Sequence, residues 1–211
     1  IVEAEPEDRF DVIQSDQVVA KFDKLFPRIK SYEYAGEYIH GQVVSSDTVK
    51  VNGIEVKPEV TYEKVNETTV LYHLKIKNAE SFIDADIDLQ IKTVNNQVHF
   101  DVLKIQNNNN ITHGQLIDNP DKLIKTFEIP GAHFVAVSSD QTGAKFSGST
   151  LSTNTKINGD IHTDVTRTMS DLDKGLMYGF VSTEKVAVGV WSNSQYSTNL
   201  TSYDRLRANK F

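Results

Sequence analysis

The chain has one tryptophan, Trp191, which closes an apolar run and opens into Ser192-Asn193-Ser194-Gln195-Tyr196. Indole and phenol rings offer apolar faces with a polar handle, and side-chain amides both donate and accept hydrogen bonds. Trp191, Asn193, Gln195 and Tyr196 therefore have the residue types for stacking on a sugar ring and bonding its hydroxyls. The same residues also suit a contact between domains. Sugar chemistry proper asks for two opposed carboxylates, or for a His–Glu pair that moves a proton on and off a ring oxygen. Acidic residues are plentiful and no pair stands out. His40, in Tyr38-Ile39-His40-Gly41, and His133, beside Phe134, are the imidazoles best placed for a cleft, with a structural role the simpler reading of each.

Other chemistries find less support. The six histidines, His40, His73, His99, His113, His133 and His162, are scattered without zinc-ligand spacing. Cysteine is absent, which excludes disulfides and thiolate metal sites. Asp84, Asp86 and Asp88 alternate like the first half of a calcium loop. Leu89 then stands at the sixth position, where Gly is required, and the twelfth is not Glu. On a strand these carboxylates share one face, which reads as a solvated surface that discourages edge pairing. No metal or cofactor is expected. There is no nucleophile elbow, phosphate-cradling loop or basic patch with interleaved aromatics. Three N-glycosylation patterns begin at Asn66, Asn110 and Asn199, as chance allows in a chain this rich in Asn and Thr.

The elements that must position these residues read as strands. Leu176–Val181 and Val186–Trp191 flank Ser182-Thr183-Glu184-Lys185 in the pattern of a hairpin. The second run is apolar on both faces, which predicts a strand inside a sheet rather than at its edge. Gln17–Phe26 is ambiguous between helix and strand. Pro27 and the β-like surroundings favour the strand. Asn52-Gly53 predicts a type I′ hairpin turn. Val70, Tyr72, Leu74 and Ile76 alternate with Leu71, His73, Lys75 and Lys77, and Ile83, Ala85, Ile87, Leu89 and Ile91 alternate with polar residues more cleanly still. Asn95-Asn96 then turns the chain into a strand over Val98–Ile105. Further strands are expected at Tyr38–Val44, Leu123–Ile129, His133–Ser138, Phe146–Leu151 and Ile161–Thr168. The opening Ile1–Arg9 is acidic and is expected to add little to the core.

A length of 211 residues without an internal repeat or composition break fits one all-β domain over 1–211, built of stacked antiparallel sheets. The net charge of −7 argues against nucleic acid or an anionic membrane as partner. No stretch approaches the length of a transmembrane helix. The first residue is Ile, and the chain reads as a piece excised from a larger multidomain enzyme.

Gly175-Leu176-Met177-Tyr178-Gly179-Phe180-Val181-Ser182-Thr183, followed by Val188-Gly189-Val190-Trp191-Ser192-Asn193-Ser194, resembles the galactose-mutarotase-like domain of endo-α-N-acetylgalactosaminidases, the family 101 glycoside hydrolases. Phe26-Pro27-Arg28-Ile29-Lys30-Ser31-Tyr32 is similar to that domain's opening strands. The resemblance implies an antiparallel β-supersandwich placed before a catalytic (β/α)₈ barrel. It also implies a secreted or wall-attached enzyme of a Gram-positive bacterium that releases Gal-β1,3-GalNAc from Ser or Thr of mucin-type glycoproteins. That family's catalytic carboxylates lie in the barrel, and this chain shows no βα alternation, so no catalytic residue is carried over. The paired His and Glu of aldose epimerases have no placeable counterpart here. Three readings follow: a non-catalytic module that buttresses or frames the barrel, a carbohydrate-binding module, and an aldose-1-epimerase-like enzyme. An accessory module should expose an apolar patch where the barrel docks.

Overall fold

The computed structural model describes residues 4–42, 45–109, 123–129 and 182–191 in full, and the backbone of the strands at 145–150, 159–164, 175–181 and 206–207. Among them a single 3₁₀ turn, Glu7–Arg9, accompanies sixteen β-strands, and every pairing is antiparallel. The strand content agrees with the all-β expectation. The chain divides into two compact units, Ile1–Lys30 with Val44–Gly131, and Ser31–Val43 with Ala132–Phe211.

The first unit is built on a four-stranded sheet in the order β10-β9-β8-β7, formed by β7 (Glu59–Asn66), β8 (Thr69–Asn78), β9 (Ile83–Val94) and β10 (Gln97–Asn107). The alternation read from the sequence is the alternation of burial. Val70, Leu74, Ile76, Ala85, Ile87, Leu89 and Ile91 are fully buried, and the aspartates between them face out. Each large aliphatic side chain so buried contributes about 1.5–3 kcal/mol. Asn95 and Asn96, at φ 47° and 60°, make the turn between β9 and β10. Positive φ at both central positions matches the twist of the flanking strands.

Across the apolar face of this sheet lie β1 (Phe10–Ser15) and β2 (Val18–Asp23). Gln17–Phe26 thus resolves as a strand, with Val18, Ala20 and Phe22 buried in alternation. Phe22 packs against the rings of Tyr72, edge to face at 6.5 Å, and Tyr62, at 6.2 Å. β5 (Val49–Val51) and β6 (Ile54–Val56) form the predicted hairpin, with Asn52 and Gly53 both at positive φ. β11 (Phe127–Glu128) joins the free side of β5. Only these two residues of the expected strand Leu123–Ile129 pair. The rest is held by Asn52, whose Nδ2 donates to the Leu123 carbonyl and whose Oδ1 accepts from the N–H of Lys125.

None of residues 4–9 is buried, as expected of a segment that adds little to the core, but two of them pair with buried charges. Asp23 and Arg28 are fully buried, and Glu5 and Arg9 close over them. Asp23 accepts from Arg9 Nε at 2.9 Å, from Arg28 Nε at 3.0 Å and from the Leu25 N–H at 2.8 Å. Its backbone carbonyl accepts from the Tyr72 hydroxyl at 2.6 Å. Glu5 bonds both Arg28 and Lys30. A buried charge is tolerable only when paired and hydrogen-bonded; here Glu5 balances Arg28, and Arg9 adds a second cation to Asp23.

In the second unit β3 (Ile29–Tyr34, whose first two residues belong to the first unit) and β4 (Glu37–His40) make a hairpin through Ala35 and Gly36, at φ 49° and 83°. β12 (Lys145–Thr150), β13 (Gly159–Asp164), β14 (Gly175–Ser182), β15 (Ala187–Trp191) and β16 (Leu206–Arg207) form one sheet, in which β12 and β15 flank β14. Among the described strands, the interior strand of the Gly175–Trp191 hairpin is the first, and β15 pairs with β14 alone. Burial follows position: Ala187 and Trp191 are exposed, and Val188 and Val190 only half-buried. A run of small and β-branched residues suits a strand on either side of a sheet, so composition did not separate centre from edge. The expected strand at His133–Ser138 lies outside the described residues.

Candidate functional site

Two arrays of chemically capable side chains stand on the described surface. The first is on the outward face of the β8–β9–β10 sheet. The register sets His73 opposite Asp88, Lys75 opposite Asp86 and Lys77 opposite Asp84. Directly opposed residues share a face, with Cβ atoms about 4.5–5.5 Å apart. His73 Nδ1 lies 2.6 Å from Asp88 Oδ1 and its Nε2 lies 2.9 Å from Asp86 Oδ1. Asn108 Nδ2 donates to Asp84 Oδ1 at 3.1 Å and to Asp86 Oδ2.

Ionised carboxylates only accept, so an imidazole bonded to two of them donates from both nitrogens and carries a positive charge. The hydrogen bond to Asp88, reinforced by that to Asp86, raises the His73 pKa against the opposing effect of partial desolvation. The amide of Asn108, followed by His73, holds the Asp86 carboxyl below its ordinary range against a smaller desolvation effect. This arrangement fixes charge on a sheet surface. It leaves neither imidazole nitrogen to act as a general base. No group of three or more His, Cys, Asp or Glu with the geometry to hold a metal occurs among the described residues.

The second array is the β3–β4 hairpin of the second unit. Ser31 pairs with His40 and Glu33 with Tyr38, so these four side chains share one face. Tyr38 is 45% exposed, and Glu33 is exposed beside it. The Tyr38 hydroxyl and His40 Nδ1 lie 3.1 Å apart, their rings at 4.8 Å and an interplanar angle of 89°. Glu37, at the start of β4, is 3.7 Å from Lys185 Nζ in the turn between β14 and β15. The hairpin is thereby tied to the strand that ends in Trp191.

Of the residues chosen from sequence, His40 and Trp191 fall within the described residues. His40 is half-buried against Tyr38. Trp191 is 62% exposed at the end of β15, opposite Tyr178 in the register. Asn193, Gln195, Tyr196 and His133 lie outside the described residues. Glu33 and Tyr38 were not singled out, although the period of two across a two-residue Ala-Gly turn places them beside His40. From sequence, His73 is one of six scattered histidines. The alternation of β8 and β9 on either side of a short connection is the signal that would have set it against the aspartates.

The comparisons with known proteins agree with this architecture. A family model described as a galactose mutarotase-like fold domain matches residues 13–210. A protein of Renibacterium salmoninarum (strain ATCC 33209) carrying the name "Putative endo-alpha-N-acetylgalactosaminidase" is 22% identical over 193 residues, which is 90% of this chain. The chain spans only 12% of that relative's length. With a sheet-built structure and a family match running through both units, the chain belongs to the galactose mutarotase-like fold domain family.

Proposed function

We propose that this chain is a non-catalytic β-supersandwich module of an endo-α-N-acetylgalactosaminidase, which frames or buttresses that enzyme's catalytic (β/α)₈ barrel. On this reading the parent is secreted or wall-attached in a Gram-positive bacterium and acts on Gal-β1,3-GalNAc linked to Ser or Thr of mucin-type glycans. The name and length of the relative support the parentage.

The observation that carries the framing role is an apolar strip on β10, which ends its sheet among the described strands. Val102 sits directly opposite Leu89, and Ile105 opposite Ile87. Leu89 and Ile87 are fully buried, whereas Val102 and Ile105 are 50% and 46% exposed. The layer that covers the sheet's centre thus leaves the same apolar face partly open one strand further on. Phe82, half-exposed, stands just before β9, where its carbonyl accepts from Asn109 Nδ2 beyond the end of β10. Its φ of 55° is unusual for a bulky side chain, and such strain persists where surroundings or function require it. Exposed apolar strips of this kind mark contact surfaces. The occupant we assign is the rest of the parent polypeptide.

The test compares the parent enzyme with and without this segment, and with Val102→Lys plus Ile105→Lys. Both changes should lower the parent's thermal stability and its cleavage of mucin glycans, while the double variant leaves the separate chain folded. Unchanged stability and cleavage on removal of the segment would refute the framing role.

A carbohydrate-binding module is the second reading. The exposed Tyr38 and Trp191 favour it. An aldose-1-epimerase reading needs an imidazole nitrogen open to a ring oxygen, which His73, bonded at both nitrogens, does not offer.

A further inference from the structure

The β3–β4 hairpin carries residues that neither the family match nor the relative assigns to any task. We infer that Tyr38, with Glu33 and His40, forms a surface subsite for one neutral pyranose ring. This deepens the carbohydrate reading and rests on it.

Three features of the hairpin support this. The first is a presented aromatic: Tyr38 lies on β4, which ends its sheet among the described strands, and is 45% exposed. A tyrosine has few rotatable bonds, so it offers a large apolar face at low entropic cost. The second is pre-organisation. The contact between the Tyr38 hydroxyl and His40 Nδ1, with the two rings perpendicular, fixes the plane of the phenol before any ligand arrives. Ser31, opposite His40, is buried, and Ile39 between the two aromatics is almost fully buried, so the strand beneath the ring is anchored. Fixing a ring in advance removes part of the ordering cost of binding.

The third is a polar group directly across the hairpin. Glu33 is the cross-strand partner of Tyr38, which sets their Cβ atoms about 5 Å apart on one face. A pyranose lying on the phenol presents its equatorial hydroxyls sideways, toward such an acceptor. A hydroxyl donating to a carboxylate is a charge-assisted bond of the stronger kind. Phosphorylated or acidic sugars are disfavoured there by the same carboxylate.

The turn geometry fits this arrangement. Ala35 and Gly36 both take positive φ, which closes the hairpin in two residues and forces Glu33 and Tyr38 into direct opposition. One residue more in that turn would shift the pairing and move Glu33 away from the tyrosine.

The test is an amide chemical-shift titration of the 211-residue chain with methyl β-galactoside and with N-acetylgalactosamine, up to about 50 mM. At least one of the two sugars should give saturable shifts centred on Glu33, Tyr38 and His40. Tyr38→Ala should weaken binding about tenfold or more, and Tyr38→Phe, which keeps the stacking face, should stay within about threefold of the parent. Glu33→Gln should weaken binding about tenfold by removing the charged acceptor. Thermal melts of each variant separate lost binding from lost folding. No saturable shift with either sugar, shifts centred away from the hairpin, or full affinity in a folded Tyr38→Ala protein would each overturn the subsite. The framing role is read separately, by the loss of the segment from the parent enzyme.

Discussion

Arg28 places Nη2 at 2.9 Å and Nε at 3.0 Å from Oδ2 of Asp23, and both side chains are closed off from solvent. Breaking one side of such a pair takes a buried partner from the other. Asp23→Ala removes one of the two carboxylates that Arg28 bonds, and with it the acceptor for Arg9 and for the Leu25 N–H. It should cost about 3–5 kcal/mol, read as a lowered urea midpoint. Arg28→Lys should be costly as well, because a lysine cannot reproduce the guanidinium geometry that reaches Asp23 and Glu5 together. Unchanged midpoints in both variants would mean that the cluster is not coupled to folding.

His73 makes stability depend on pH. Its folded pKa is raised, chiefly by Asp88, above the value of about 6.5 expected when unfolded. The folded state therefore binds the proton more tightly than the unfolded state does. The stabilisation is complete below about pH 6.5 and is lost as pH rises through the folded value. The side chain is 46% exposed, so screening limits the effect to less than about 1 kcal/mol. Urea midpoints should fall slightly between mildly acid and mildly alkaline pH in the parent, and His73→Gln should remove that part of the slope. A slope unchanged by His73→Gln would assign it to other groups.

Ala35 occupies a position that penalises it. At φ 49° its Cβ meets the steric cost of the left-handed region, while Gly36 next to it does not. Asparagine is the residue such turns prefer at that position. Ala35→Asn should stabilise the chain by about 0.5–1 kcal/mol, visible as a raised melting temperature. A lowered melting temperature would show that the added carboxamide costs more at this turn than it relieves.

Trp191 is the sole indole and is 62% exposed, so its fluorescence reports one site. Emission should lie at the red, solvent-exposed end, with ready quenching by acrylamide in the free chain. Trp191→Ala should change stability by no more than about 0.5 kcal/mol, as for an exposed residue away from any buried network. Blue-shifted, protected emission would place the indole in a packed environment instead.

Local and periodic features were legible from the chain alone. The period of two in Val70–Ile76 and Ile83–Ile91 became burial itself, because side chains on a strand alternate faces whatever the partner. Asn52-Gly53 and Asn95-Asn96 became turns because positive φ is a property of the residues there. The all-β class followed from these signals, and the family resemblance rested on a stretch around Trp191. Tertiary structure alone decided which strand of the Gly175–Trp191 hairpin lies inside the sheet, since both strands are apolar enough for either place. It also decided that Glu5 and Arg9 pair with a buried aspartate–arginine pair, and that His73 meets Asp86 and Asp88. The contacts of Glu5 with Arg28 and of His73 with the two aspartates join residues 13 to 23 positions apart. Spacing along the chain carries no signal for them until the strands have paired and their register is set.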